Sequence, residues 1–282
     1  MNKPLPRRVR SLLFAPAVRP DLIRKMPATG ADAVVIDCED ATPVAKKVDA
    51  RATASSLVAE IGIEVATLVR INDIDTPWFE GDVAALPTDI AGIVLPKAES
   101  TSGLERALKS LQSAGLTQAK VVVGIETAVG VADARELLSH PLVGGAYFGA
   151  EDFVADMGGI RTADNTEVAF ARSAVALAAR IAAVPVIDQI VADFHDDARC
   201  RRECAEARSL GYVGKLCIHP SQVAIANDEF SPSVDEIDRA RRLIAAYEKA
   251  AADGLAAIDF EGQMVDEPVA NQARSLLGTM FR

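Results

Sequence analysis

The chain has 282 residues, half of them hydrophobic, enough for one large domain or two small ones. Its net charge of −10 disfavours a nucleic-acid-binding surface, and no apolar run approaches the ~20 residues that span a bilayer. Four cysteines in a chain this long make no disulfide framework.

The first segment, MNKPLPRRVRSLLFAPAV, superficially resembles an export signal. Its apolar part is too short, contains Pro16 and is followed at once by Arg19. The expectation is a first strand near 11–15 in a cytoplasmic protein. Residues 1–25 carry seven Lys and Arg against the single Asp21, a local +6. Two readings stay open: a solvated basic arm, or a site for an anionic ligand.

Further short apolar runs follow at 33–37, 67–71, 92–96, 121–125, 145–149, 184–188 and 215–219, which makes eight. Residues 44–60, 100–114, 127–139, 167–183 and 196–210 between them show the apolar spacing of helices. The repeat is roughly 29 residues, near the ~31 of a (β/α)8 TIM barrel, although an open doubly wound sheet shares the alternation. The barrel is expected to close by residue 219. Residues 220–282, with a helix over 234–252, then form a C-terminal helical extension able to reach a neighbouring subunit. Cys200 and Cys204 stand at helical spacing but lack a second Cys/His pair, so a zinc site is not expected. Cys38 and Cys217 read as buried small hydrophobes.

Barrel enzymes carry their chemistry at the C-terminal ends of strands. The second run ends in Asp37, Glu39 and Asp40, the third in Arg70 and Asn72, and the fourth in Lys97 and Glu99. The fifth ends in Glu126, the sixth in Glu151 and Asp152, the seventh in Asp188, and the eighth in His219. Any one of these suits a helix cap; seven in succession are expected to converge on one face. Glu126 and Asp152 terminate adjacent strands, and two carboxylates that close need a proton or a metal between them. Oxygen-only ligation favours Mg²⁺, with Mn²⁺ as the other candidate. Arg70 suits a carboxylate or a developing enolate oxygen. Lys97 reads either as a Schiff-base lysine or as an ammonium paired in an acidic mouth. His219, which precedes Pro220, reads as a helix cap or a substrate contact. Serine-hydrolase, P-loop and dinucleotide motifs are absent from the sequence.

Taken in order, RSLLFAPAVRP, DCEDATPVAKK, VRIN, LPKAES, GIETAVG, FGAEDF, KLCIHPSQV and FEGQMVDEPV resemble the citrate lyase β-subunit-like proteins, within the HpcH/HpaI aldolase and malyl-CoA/citramalyl-CoA lyase group. The resemblance covers about residues 10–270. It implies a (β/α)8 barrel assembled as a homotrimer or hexamer, with Mg²⁺ used to make or break a carbon–carbon bond beside a thioester. By position, Glu126 and Asp152 are the implied metal ligands and Arg70 the arginine on the substrate's carboxylate or carbonyl. Phe14, Arg19 and Lys25 match ligand-contacting positions, which would give the basic segment the phosphates and acyl arm of coenzyme A to hold. Glu151, Ile218 and His219 join the implied substrate pocket. Glu39 and Asp40 stand close behind the metal, and Asp266 is the catalytic aspartate supplied by an adjacent protomer. DCEDAT departs from the family where many relatives have Gly and an aliphatic residue after the Asp.

The implied reaction cleaves or forms a malyl-, citramalyl- or citryl-type thioester, giving a 2-oxo acid and an acyl-CoA. The competing readings are a citryl-thioester lyase subunit, a malyl-CoA thioesterase, a metal-dependent aldolase for free 2-oxo acids, and a non-catalytic binding subunit.

Overall fold

In the computed structural model, which describes residues 2–278, the apolar runs become eight short parallel strands. They are Ser11–Pro16 (β1), Ala33–Asp37 (β2), Ala66–Arg70 (β3), Gly92–Leu95 (β4), Lys120–Ile125 (β5), Val143–Phe148 (β6), Val186–Asp188 (β7) and Gly214–Cys217 (β8). Each pairs with the next in sequence, and β8 returns to β1 through Ser11–Lys215, Leu12–Leu216 and Leu13–Cys217. The sheet is therefore a closed barrel rather than an open doubly wound one. The register slips between Val121 and Val122, where β5 meets β6.

Side chains alternate across a strand, and this alternation sorts the core into two layers. Leu12, Val35, Leu68, Val94, Val122, Tyr147, Ile187 and Leu216 fill the barrel interior. Leu13, Val34, Ile36, Val69, Ile93, Val123 and Phe148 face outward into the shell of helices. Both faces are apolar because parallel strands are covered on both sides, so β2 and β4 are buried at every position.

The helices Lys47–Ile61, Thr101–Ser113, Ala169–Ala182 and Asp197–Leu210 match the expected segments within a few residues. The first and third begin with a 3₁₀ turn, Val44–Lys46 and Thr166–Val168. Residues 127–139 form two short helices, Ala128–Ala132 and Ala134–Leu138, which meet at Asp133. Among the described residues five helices escape the periodicity because they are short or begin at a polar strand end: Pro20–Ile23, Phe79–Ala85, Ala150–Asp156, Pro220–Glu229 and Glu267–Gly278.

Two compact units emerge, residues 1–230 and 231–282. The boundary lies beyond the expected 219, because β8 is followed by its own covering helix, Pro220–Glu229, with Pro220 in the first turn where its missing N–H costs nothing. Phe230, at the end of that helix, is buried and accepts a hydrogen bond from Arg8 at its carbonyl. The second unit packs the helix Val234–Ala252 and the helix Glu267–Gly278 around Leu243, Tyr247, Val265 and Ala270. Between them runs a hairpin of Ala257–Phe260 and Gln263–Asp266. Its two-residue turn, Glu261–Gly262, has positive φ at both positions (54° and 76°), the backbone of a type I′ turn.

No helix among the described residues is long and apolar enough to cross a membrane. All four cysteines are free and buried.

Candidate active site

Strand parity decides which of the strand-ending charges meet. Asp37 and Arg70 share the inward parity of Val35 and Leu68, and Glu126 continues that of Val122. Together with Phe14, Asp40, Tyr147, Gly149, Glu151, Asp152, Leu216 and Ile218 they line a cavity of about 580 Å³, of the size that takes a small substrate.

Arg70 is almost fully enclosed there. Its Nε and Nη2 donate to the two carboxylate oxygens of Asp37 at 2.8 and 2.6 Å, and Nη1 lies 3.2 Å from Glu39 Oε2. Its guanidinium stands over the Phe14 ring, 5.4 Å from the centroid. Burial alone would lower the Arg70 pKa, but the charge and hydrogen bonds of Asp37 raise it well above the ordinary arginine value. The cation is thus fixed in orientation and keeps N–H edges for an oxyanion in the cavity.

Glu126 is 1% exposed at the end of β5. Its Oε1 accepts from the backbone N–H of Lys97 at 2.8 Å and from Tyr147 Oη at 3.0 Å, while Oε2 takes no hydrogen bond among the described residues. Burial, helped by the nearby Asp152 charge and opposed by Arg70, pushes its pKa up to about 7. A buried carboxylate with one bare oxygen facing a cavity and an Asp as neighbour is a donor pair short of a cation. These are hard oxygen donors, and they fit a Mg²⁺-type ion whose remaining positions go to water and substrate oxygens. Among the described residues no three His, Cys, Asp or Glu side chains could hold a metal ion by themselves.

The backbone at Gly149 lets Glu126 lie this close to the next strand. A Cβ there would fall 2.3 Å from Glu126 Oε2 and 2.7 Å from Glu126 Cβ. Gly149→Ala is therefore expected to push the carboxylate aside and cost about 1–3 kcal/mol of stability. Urea denaturation reads this directly, and an unchanged midpoint would contradict the contact.

Lys97 closes the rim. Its ammonium reaches Glu39, Asp40 at 3.0 Å and Asp152 at 3.4 Å, and these partners hold its pKa above the ordinary lysine value despite burial. Of the two sequence readings, the paired ammonium is the one that this geometry favours. Glu39 is pushed up by burial, against the pull of Arg70 and Lys97. Asp40 is held low: burial raises it, but the Lys97 hydrogen bond and charge outweigh that.

Other sequence expectations are redirected. Asp188 has the outward parity, opposite to Ile187, and is tied to Arg172 and Lys215 beneath the helices rather than to the cavity. The strand-end charges therefore do not all converge. His219 does not line the cavity; its side chain caps the helix Pro220–Glu229 by accepting from Ser221 N, and its ring stacks on Phe194 at 4.9 Å. Glu151 lines the rim but is bound by Arg161 Nε at 3.0 Å. The basic segment splits between the two ends of the barrel. Lys3, Arg7, Arg8 and Arg10 precede β1 and lie at its N-terminal end, away from the mouth, where Arg10 pairs with Asp32 at 2.7 Å. Only Arg19, Arg24 and Lys25 follow β1. Arg24 is held by Glu60, near the end of the helix Lys47–Ile61, and Arg19 by Asp21, while Lys25 is exposed; none of the three lines the cavity. Asp266 belongs to the second unit, where its Oδ1 accepts from Val269 N at 3.3 Å and caps the helix Glu267–Gly278.

Two residues of the cluster, Tyr147 and Gly149, lie outside the strand-end charges, whereas Asp37 and Lys97 stand among those charges with no ligand role assigned to Asp37. Parity marks Asp37, two positions past the inward Val35, and Gly149, two past the inward Tyr147, but counted from Val143, which packs outward, it puts Tyr147 on the wrong face. Nothing in the sequence marks Lys97's backbone.

The pattern of the HpcH/HpaI aldolase/citrate lyase family matches residues 10–220, which spans the whole barrel with its strand-end carboxylates and arginine. The chain belongs to that family. This places it among enzymes of the aldolase and lyase type. A family member from Deinococcus radiodurans, the citrate lyase subunit beta-like protein, is 44% identical over 98% of this chain and 99% of its own length. A (3S)-malyl-CoA thioesterase from Cereibacter sphaeroides is 32% identical over 91% of this chain and 89% of its own. Among solved structures, the protein CitE from Mycobacterium tuberculosis in complex with magnesium, acetoacetate and coenzyme A superposes with a TM-score of 0.83. It is 30% identical, over 98% of this chain and 99% of that one.

Proposed function

We propose that the chain is a cytoplasmic, Mg²⁺-dependent carbon–carbon lyase that cleaves or forms a malyl-, citramalyl- or citryl-type acyl-CoA thioester, with a 2-oxo acid and an acyl-CoA as the other side of the reaction. The observation that carries this reading is Glu126, whose Oε2 takes no hydrogen bond among the described residues and which lines one cavity with Asp37, Asp40, Glu151, Asp152 and a rigidly held arginine. The similarity to a magnesium and coenzyme A complex supports the same assignment.

Glu126 and Asp152 would hold the ion, which when bound supplies Lewis-acid polarisation of a 2-hydroxy- or 2-oxo-acid oxygen. Arg70, preoriented by Asp37, faces the carboxylate or carbonyl end of the substrate and stabilises the oxyanion that develops there; fixed charges of this kind commonly supply the largest catalytic contribution. Phe14 and Ile218 give the cavity an apolar wall for the acyl portion. Arg19 and Lys25 offer positive charge to the phosphates of the carrier. In a homotrimer or hexamer, Asp266 of a neighbouring subunit protonates the enolate carbon, or takes a proton from the acyl-CoA methyl in the reverse direction.

Asp266→Asn is expected to lower kcat by about 10²–10⁴-fold while CoA-ester binding and melting temperature stay near wild type. Asn keeps the oxygen that caps the helix, so a structural role of Asp266 alone would leave kcat unchanged. Mixing Asp266→Asn with Arg70→Ala chains should restore some activity; no recovery in mixed oligomers counts against a shared site.

The similarity to a malyl-CoA thioesterase supports one second reading, hydrolysis of the thioester. Turnover of malyl-, citramalyl- and citryl-CoA, with and without EDTA, separates the two. A lyase releases a 2-oxo acid and leaves the thioester intact, whereas a thioesterase releases free thiol. Release of neither product from any of the three overturns the proposal.

A further inference from the structure

One residue is tied to both proposed metal ligands through two different parts of itself. The backbone N–H of Lys97 donates to Glu126 Oε1 at 2.8 Å, and its ammonium lies 3.4 Å from Asp152 Oδ1. The same ammonium bonds Glu39 and, at 3.0 Å, Asp40. Its backbone has φ of +48°, a left-handed conformation that a side chain such as lysine enters at a cost. The conformation is held by two hydrogen bonds, Lys97 N to Glu126 and Ala98 N to Gly124 O at 3.0 Å. These turn the peptide toward Glu126 while the side chain crosses the rim to the other acids. The side chain is 28% exposed, so it retains a route to solvent.

We infer that Lys97 is a built-in competitor for the divalent ion: its ammonium neutralises the Glu39–Asp40–Asp152 group in the metal-free protein and must give up Asp152 when the ion arrives. The inference deepens the proposed metal site and rests on it. Three carboxylates around one cavity repel one another unless a cation stands among them. A lysine is a compact point charge on a flexible stem, and it can supply that charge and then withdraw. Because it remains close after leaving Asp152, its positive charge opposes the incoming ion, and metal affinity in the absence of substrate is kept lower than the two acids alone would give. Lys97 is thus a positioning residue acting through Asp152, not a group that touches the reacting atoms.

The test is a calorimetric titration of Mg²⁺ into the substrate-free oligomer of wild type, Lys97→Met, Lys97→Arg and Glu126→Gln, with thermal melts as a folding control. Lys97→Met, which keeps the stem and removes the charge, is expected to bind Mg²⁺ about tenfold more tightly, a modest share of the ~4 kcal/mol that unit charges exert at 4 Å near a protein surface. Lys97→Arg should stay near wild type. Equal or weaker binding by Lys97→Met overturns the inference while leaving the metal site intact. Wild type binding no ion, or Glu126→Gln binding it undiminished, overturns the metal-site reading and this inference with it. A second measurement needs no variant: acetylation of Lys97 by acetic anhydride, followed by peptide mass spectrometry, should rise on adding Mg²⁺ as the ammonium is released. Unchanged or reduced labelling contradicts the release.

Discussion

Glu126→Gln is expected to stabilise the metal-free protein above pH 7 and at the same time to remove its turnover. The carboxyl is fully enclosed, and burial raises its pKa from an ordinary 4.5 to about 7. Between those values the folded chain binds a proton that the unfolded chain has already lost, so stability falls as pH rises across that window. Below pH 4.5 both states are protonated and nothing is lost; above 7 the full penalty of about 3 kcal/mol applies. Gln carries no such penalty. Its carbonyl can still accept from Lys97 N–H and Tyr147 Oη, because both bonds fall on one oxygen of Glu126.

Urea denaturation in EDTA at a series of pH values should therefore show the two proteins converging near pH 4.5 and separating upward. Adding Mg²⁺ should reverse the order at pH 8, since only wild type gains binding free energy. Turnover should fall by about 10³-fold or more, the several kcal/mol of charge stabilisation that a Lewis acid supplies. Parallel stability curves from pH 4 to 9 would mean that Glu126 is not destabilised by its burial, and the case for a cation beside it would go.

The barrel was legible because its eight strands are apolar on both faces and short, a pattern that few alternatives share. The site was legible only in part, and the failures have one geometric origin. Taking the last charge of each run ignores which way the strand points it. Asp37, Arg70 and Glu126 fall on the inward parity and meet. Asp188 is one position past the inward Ile187, and so it is driven out among the helices. His219 stands one position past Ile218, which does reach the cavity, and of its two readings takes the helix cap rather than the substrate contact.

The basic N-terminus misleads for a different reason. Charge per residue says nothing of the barrel's two ends, and β1 carries the chain from one to the other in six residues. Lys97 was readable as a charge at a strand end but not as a bridge, because its left-handed backbone depends on a hydrogen bond to a residue 29 positions away. Asp266 could be matched through the segment around it, whose hairpin-to-helix junction also gives that aspartate a local capping partner.

Lys215→Met is expected to cost about 3–5 kcal/mol of stability without altering kcat/KM at temperatures where the variant stays folded. Lys215 points outward from β8 and is 1% exposed, with Nζ 2.6 Å from Asp188 Oδ2 and 3.1 Å from Glu203 Oε2. Asp188 is also gripped by Arg172, through Nε at 2.7 Å and Nη2 at 2.8 Å, and Glu203 by Arg199 at 2.7 Å. Burial would lower the Lys215 pKa, but Asp188 and Glu203 together raise it, so the ammonium is charged in the folded state. Removing that cation leaves two buried carboxylates sharing fewer partners, and the cost arises from the stranded negative charge rather than from lost packing, since Met retains most of the stem. The double variant Lys215→Met/Glu203→Met should then lose less than Lys215→Met alone. It removes the anion left over, keeps the bidentate Asp188–Arg172 pair intact, and leaves Arg199, which is 22% exposed, free to turn to water. Chemical denaturation of the two single variants and the double variant gives the coupling energy. Additive losses would show that these side chains act independently, and a fall in kcat/KM of folded Lys215→Met would show that the cluster supports the cavity as well as the shell.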